Sequence, residues 1–142
     1  MIRRAELKDW GIVCNLFLDE ASNPCFIVFD KDKFTAQLKD DLQNPKKYYY
    51  VLEIDDRVIG FIKTEPKKMN ERRRLYISSV VIDKREQGKG HGKVLMKDIE
   101  DKAKAQGFDE ITLDVSAENE RAVKFYEKLG FETAKYLMKK NL

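Results

Sequence analysis

A single mixed α/β domain, one central sheet flanked by helices, is the fold class that the sequence predicts, and three observations predict it. The middle third is dense in β-branched and aromatic residues held in short, turn-bounded segments. Amphipathic helical stretches precede that region and alternate with strands after it. Between a β-branched strand and one of those helices stands REQGKGHGKVL, residues 85–95, with glycines at 88, 90 and 92.

The elements follow in order. A short strand is expected over residues 2–5. Asp9 then caps a helix to about residue 20, with Ile12, Val13, Leu16 and Phe17 on one face. Ser22-Asn23-Pro24 breaks it. A second helix over about 32–42 places Phe34, Leu38 and Leu42 four residues apart, and Asn44-Pro45 stops it. KYYYVLEI and RVIGFIKTE flank Asp55-Asp56 as a hairpin. A basic loop over 66–74 leads to the strand RRLYISSVVID. After the glycines a helix runs to about 106, burying Leu95, Ile99 and Ala103, and Gly107 ends it. DEITLDV is a strand, AENERAVKFYEKL a helix closed by Gly130, and FETAKYLMKKNL a last strand. The predicted order is β-α-α-β-β-β-α-β-α-β, in one domain spanning residues 1–142.

Composition narrows the function. Of 142 residues, 42% are apolar and 37% charged, which suits a folded soluble domain with its own core. No apolar run reaches the ~18 residues of a membrane span, and the N-terminus lacks a signal-peptide core, so a cytoplasmic protein without a membrane partner is expected. Cys14 and Cys25 read as a reduced pair. His91 is the only histidine, so a multi-histidine metal site is excluded and no metal is expected. The net charge is +3, with local clusters at Lys67-Lys68, Arg72–Arg74 and Lys84, Arg85, Lys89 and Lys93. Duplex binding usually takes a larger basic face, so nucleic acid is not the expected partner.

The glycine segment reads as an anion site. A helix start leaves amide N–H groups without partners at the positive end of its dipole, and glycines let that backbone close on a phosphate. Two nucleotide fingerprints fail here. GxxxxGK[ST] finds Gln87 for its first glycine and Val94 after Gly92-Lys93, while GxGxxG finds Lys93 for its third glycine. The segment resembles instead Gln/Arg-x-x-Gly-x-Gly/Ala, matched by Gln87, Gly90 and Gly92, the pyrophosphate loop of the GCN5-related N-acetyltransferase (GNAT) superfamily. NERAVKFYEKLGF resembles that family's second acetyl-CoA block at Asn119, Ala122, Phe125, Tyr126, Glu127, Lys128, Gly130 and Phe131.

The resemblance implies a GNAT fold and transfer of an acetyl group from acetyl-CoA to a primary amine by direct attack, with no metal. It implies that main-chain groups of Val80, Val81 and Ile82 bond pantetheine. The amides of Gly88, Lys89, Gly90, His91, Gly92 and Lys93, after Gln87, would hold the pyrophosphate. Asn119 would touch the pantetheine arm, and also fits a helix N-cap. Tyr126 resembles the tyrosine that protonates the leaving thiolate, and also fits a core aromatic. Asp114 matches the place of a carboxylate base; a solvated strand residue, Glu65 or ordered water are the other readings. His91 is expected to contribute backbone only. A non-catalytic acyl-CoA-binding module is the alternative function. The acceptor (small molecule, peptide N-terminus or protein lysine) is not legible, and a homodimer stays open. Asp30, Asp32, Asp40 and Asp41 suit either a cationic acceptor or a solvated helix face.

Overall fold

The computed structural model describes residues 1–21 and 31–142. Five strands form one sheet in sequential order: β1 (Ile2–Arg4), β2 (Tyr48–Ile54), β3 (Arg57–Met69), β4 (Arg72–Ile82) and β5 (Glu110–Leu113). The first three pairings are antiparallel and β4–β5 is parallel. Helices α1 (Trp10–Ala21) and α2 (Lys31–Gln43) precede β2, α3 (His91–Ala105) crosses from β4 to β5, and α4 (Glu120–Lys128) follows β5. Cys25, the Ser22-Asn23-Pro24 break and Asp30 lie outside the described residues.

Both faces of the sheet are covered, which explains the near-continuous apolar runs of the middle strands. Val51 and Phe61 turn towards α1 and α2, joining Val13, Leu16 and Leu38 in one core. Their neighbours Leu52 and Ile62 turn the other way, joining Leu95, Met96 and Ile99 of α3 in a second. Period-two alternation thus sorts one strand's side chains between two cores. Gly60 is required by close approach, since a Cβ there would lie 2.6 Å from Ile82 Cδ1 and 2.9 Å from the Val81 carbonyl oxygen.

Three sequence expectations are corrected. The basic stretch 66–74 is no loop: β3 runs to Met69, β4 starts at Arg72, and Asn70 and Glu71 turn between them at φ 51° and 64°. A two-residue turn with both φ positive matches strand twist, and the long basic side chains stay in water while the backbone pairs. Asp9 does not cap α1. It closes a 3₁₀ turn (Leu7–Asp9) by accepting from the Glu6 amide at 2.8 Å, and Arg3 binds both its oxygens, at 2.7 and 2.9 Å. Finally, residues 131–142 form no strand. A strand needs a partner, and β5, the sheet's last strand, pairs with β4 alone among the described residues.

Asp9 is 5% exposed, and Arg3 holds its carboxyl below the usual carboxylate range. A lowered folded-state pKa stabilises above the unfolded value and is lost as pH falls through the folded one. Asp9→Asn is therefore expected to cost about 1–3 kcal/mol at pH 7 in chemical denaturation. The gap to wild type should narrow below the unfolded carboxyl's value of about 3.9. A gap independent of pH would deny the ion pair this role.

Candidate functional site

The site begins with a defect in strand pairing. Lys63 faces Ser79 across β3–β4, but the next residue, Thr64, faces Ile77, so Ser78 is an extra residue bulged out of β4. On its other side β4 pairs with β5 only from Arg74 to Ile77. Beyond the bulge, residues 79–82 keep β3 on one edge and have no strand on the other among the described residues. A bulge bends its strand and ends regular pairing. β5 itself ends at Leu113, opposite Ile77, so the far part of β4 faces a gap on that side where its backbone has no strand partner. Val80, Val81 and Ile82 all lie on that free stretch.

The glycine turn lies at the end of the same strand. Asp83 caps the 3₁₀ turn Lys84–Glu86, taking the Arg85 amide at 2.9 Å, and Arg85 draws its carboxyl down to about 2. Gln87 Nε2 donates to the Ile82 carbonyl oxygen at 3.0 Å, tying the turn to the strand. Gly88 and Gly90 take φ of 79° and 84°, a left-handed backbone that glycine adopts without penalty. Gly90 is the N-cap of α3 and has no side chain to offer the first turn. Among the described residues no acceptor is bonded to the amides of residues 88–93. An uncapped helix start with free N–H groups is therefore aimed out of the turn. Lys89, His91 and Arg57 gather instead on Glu86, at 2.9, 3.7 and 2.7 Å. The His91 imidazole thus points to a neighbouring carboxylate.

Helix α4 packs behind this turn. A Cβ on Gly92 would come 3.3 Å from Phe125, so glycine lets α3 and α4 meet there. Phe125, Tyr126 and Phe131 form an edge-to-face aromatic set, with centroids 5.2 and 5.7 Å apart, beside the second core. Tyr126 is a half-buried aromatic of α4, as the core reading expects. Asn119 is the N-cap of α4, its Oδ1 accepting from the Ala122 amide at 3.2 Å. That leaves its Nδ2 to donate elsewhere.

Asp114 follows directly on β5 and accepts the Tyr76 hydroxyl at 2.8 Å. Burial, then this bond, push the Tyr76 phenol up to about 12, so the hydroxyl stays protonated and donating. Tyr76 pairs with Glu65 across β3–β4. Glu65 in turn meets Lys47 at 3.3 Å and Lys63 at 3.6 Å, and Lys63 reaches Asp41 at 3.3 Å. Asp41, only 3% exposed, also takes Gln37 Nε2 at 2.9 Å and the Tyr49 hydroxyl at 3.4 Å. Burial and this carboxylate raise the Tyr49 phenol far above the ordinary value. A chain of carboxylates, phenols and lysines therefore crosses one sheet face from α2 to the end of β5. Asp41 is no part of a solvated helix face, whereas Asp32 and Asp40 are exposed.

Sequence reasoning missed Tyr76, Lys63, Tyr49 and the burial of Asp41. The signal was present: Phe61, Lys63 and Glu65 occupy alternate positions of one strand, so an apolar inner face turns charged halfway along it. Among the described residues no His, Cys, Asp and Glu side chains group as a metal site would require.

The comparisons agree with this geometry. Residues 15–131 match the family model described as Acetyltransferase (GNAT) family. The chain belongs to the GNAT family. It is 24% identical over 116 residues, 81% of this chain and 74% of the other, to the uncharacterized N-acetyltransferase YycN of Bacillus subtilis. It is similar in structure to a tetramutant of the BH1408 protein of Bacillus halodurans, with a TM-score of 0.85, 25% identity and coverage of 100% and 99% of the two chains. At 18% identity its fold also matches the aminoglycoside N-acetyltransferase AAC(6')-Iy in complex with CoA, with a TM-score of 0.82 over 100% of this chain and 93% of that one.

The cap at Asn119 gives a direct test of the local geometry. Asn119→Ala should lower stability by about 1 kcal/mol, and Asn119→Ser, which restores an acceptor, by only a few tenths. Equal losses in thermal denaturation would show that the bond to Ala122 does not support α4.

Proposed function

We propose that this chain is an acetyl-CoA-dependent N-acetyltransferase that acetylates a primary amine by direct attack in a ternary complex. The observation that carries the reading is the pairing of two features on one strand. Residues 78–82 have a free backbone edge, and the uncapped, glycine-flanked start of α3 stands at their end. An extended ligand with an anionic tail fits both at once. Pantetheine would lie along Val80, Val81 and Ile82 as an added strand. Its pyrophosphate would take the amides of residues 88–93, after Gln87 has fixed the turn. Membership of the GNAT family and the CoA-bound neighbour of like fold support this choice of ligand.

The chemistry follows from what borders the gap. The attacking amine must be neutral, the carbonyl oxygen must be stabilised as it gains charge, and the thiolate must be protonated as it leaves. A strand amide at Val80 or a neighbour would donate to the oxyanion. Asp114, held by Tyr76 through Oδ2, keeps Oδ1 for the amine or for a water that relays its proton. Glu65 is less suited, because Lys47 and Lys63 already claim its Oε1. Tyr126 would give its proton to the thiolate. Asn119 would use Nδ2 towards the pantetheine amides. The one carboxylate of this group that no lysine pairs, Asp114, would suit an amine acceptor, among which aminoglycosides are one class, by analogy with the neighbour of like fold.

Isothermal calorimetry in a chelator-containing buffer is expected to give micromolar acetyl-CoA binding unchanged from buffer with magnesium, because amides rather than a metal hold the anion. Loss of binding on chelation would overturn this. Tyr126→Phe should lower kcat roughly 10- to 10³-fold with acetyl-CoA affinity nearly unchanged. Asp114→Asn should lower it on the order of 10²-fold, with the loss shrinking at high pH as the amine deprotonates unaided. Binding without thiol release against a broad amine panel would leave only the non-catalytic reading.

A further inference from the structure

The far end of the β3–β4 hairpin holds a cavity of about 330 Å³, lined by Pro66, Lys67, Lys68, Arg73 and Phe108 and by no carboxylate. Lys68 pairs with Arg73 across the two strands, so both side chains start from one face of the ribbon. Cations close by are neutralised. Arg72 and Arg74 share Glu110, and Lys97, Lys102 and Lys104 of α3 each meet a carboxylate one turn away. Lys67, Lys68 and Arg73 have no ion pair among the described residues, and Lys67 stands instead 3.8 Å over the Tyr76 ring.

Arg73 is the best fixed of the three. Its Nη1 donates to the Gln106 and Gly107 carbonyl oxygens at 2.8 and 3.2 Å, and its guanidinium lies 4.8 Å over the Phe108 ring. Gly107 makes room for it, since a Cβ there would stand 3.1 Å from Nη1. Carbonyls and a ring thus hold the group in place without cancelling its charge. The carboxylate beside it, Asp109, accepts the Arg73 backbone amide through Oδ2 at 2.8 Å and forms no ion pair with the side chain. Closing the end of α3 uses one nitrogen only. Nε and Nη2 have no acceptor among the described residues, and they form one edge of a planar fork that can meet both oxygens of a carboxylate.

We propose that this cavity binds a small carboxylic acid with an apolar body. Its carboxylate lies along the Nε–Nη2 edge of Arg73, Lys68 shares its charge, and its body rests on Pro66 and Phe108. The guanidinium edge is flat, as a carboxylate is, whereas a tetrahedral phosphoryl group leaves oxygens unmatched there. β4 starts here at Arg72 and ends at Ile82, and α3 ends here at Ala105 and starts at His91, so the glycine turn lies at the other end of both elements. The proposal goes beyond the acetyltransferase reading and does not depend on it.

Benzoate titrated into the full chain at constant ionic strength, followed by amide and guanidinium NMR, tests it. Saturating shifts are expected on Lys68, Arg73, Gly107 and Phe108. Acetate, which lacks the apolar body, should bind about tenfold more weakly. Arg73→Lys keeps a charge and a donor for the end of α3 but loses the fork, and should weaken benzoate about tenfold. Lys68→Gln, at an exposed position, should leave the fold unchanged and weaken benzoate about threefold. Unaltered affinity in both variants would overturn the proposal. So would acetate binding as tightly as benzoate, tighter binding of phenyl phosphate, or shifts that chloride reproduces.

Discussion

The extra residue at Ser78 sets the rest of the structure. The bulge falls directly after the last β4 residue that β5 pairs, Ile77. Beyond it β4 keeps β3 on one side and, because β5 ends at Leu113, has no strand on the other among the described residues. Unpaired backbone groups in the middle of a domain are costly unless something else bonds them. Here the cost falls where a ligand with amide groups of its own could meet it. The same strand then delivers the chain to the glycine turn, so the strand edge and the start of α3 are fixed relative to each other by a few residues of backbone.

The polar chain from Asp41 to Asp114 is the second organising feature. Buried charge is tolerated only when paired, and each member here has a partner on a neighbouring element. Lys63 neutralises Asp41, and Lys47 with Lys63 neutralises Glu65. Tyr76 orients Asp114. Asp114 stands at the exposed end of that chain, where a carboxylate has a fixed direction and keeps a free oxygen. Arg3 and Asp9 solve the same problem at the opposite edge, joining β1 to the turn before α1.

Much of this was legible in the sequence for stated physical reasons. Glycines at 88, 90 and 92 between a β-branched strand and an amphipathic helix announced the uncapped helix start, and two of them do take left-handed φ. Asn119 read as a cap and is one. The hairpin at Asp55-Asp56 read correctly because adjacent short polar residues tolerate positive φ. The turn at Asn70-Glu71 did not, since flanking lysines and arginines masked strands whose side chains point into water. The bulge at Ser78 left no local trace, because register is decided by what the neighbouring strand packs against. The burial of Asp41 was hidden for a similar reason: only a lysine and a tyrosine from other strands make it tolerable. The C-terminal segment has the composition of a strand, yet a strand is a property of two segments.

The central claim is that one ligand occupies the strand gap and the start of α3 together. Amide chemical-shift mapping with unacetylated CoA addresses both at once, without reference to any acceptor. The account predicts that the largest shifts fall on Val80, Val81, Ile82 and residues 88–93, saturating together with a single dissociation constant. Shifts confined to the glycine turn, with residues 80–82 unmoved, would contradict it. So would shifts centred on the basic cavity of Lys67, Lys68, Arg73 and Phe108 at the far end of the β3–β4 hairpin.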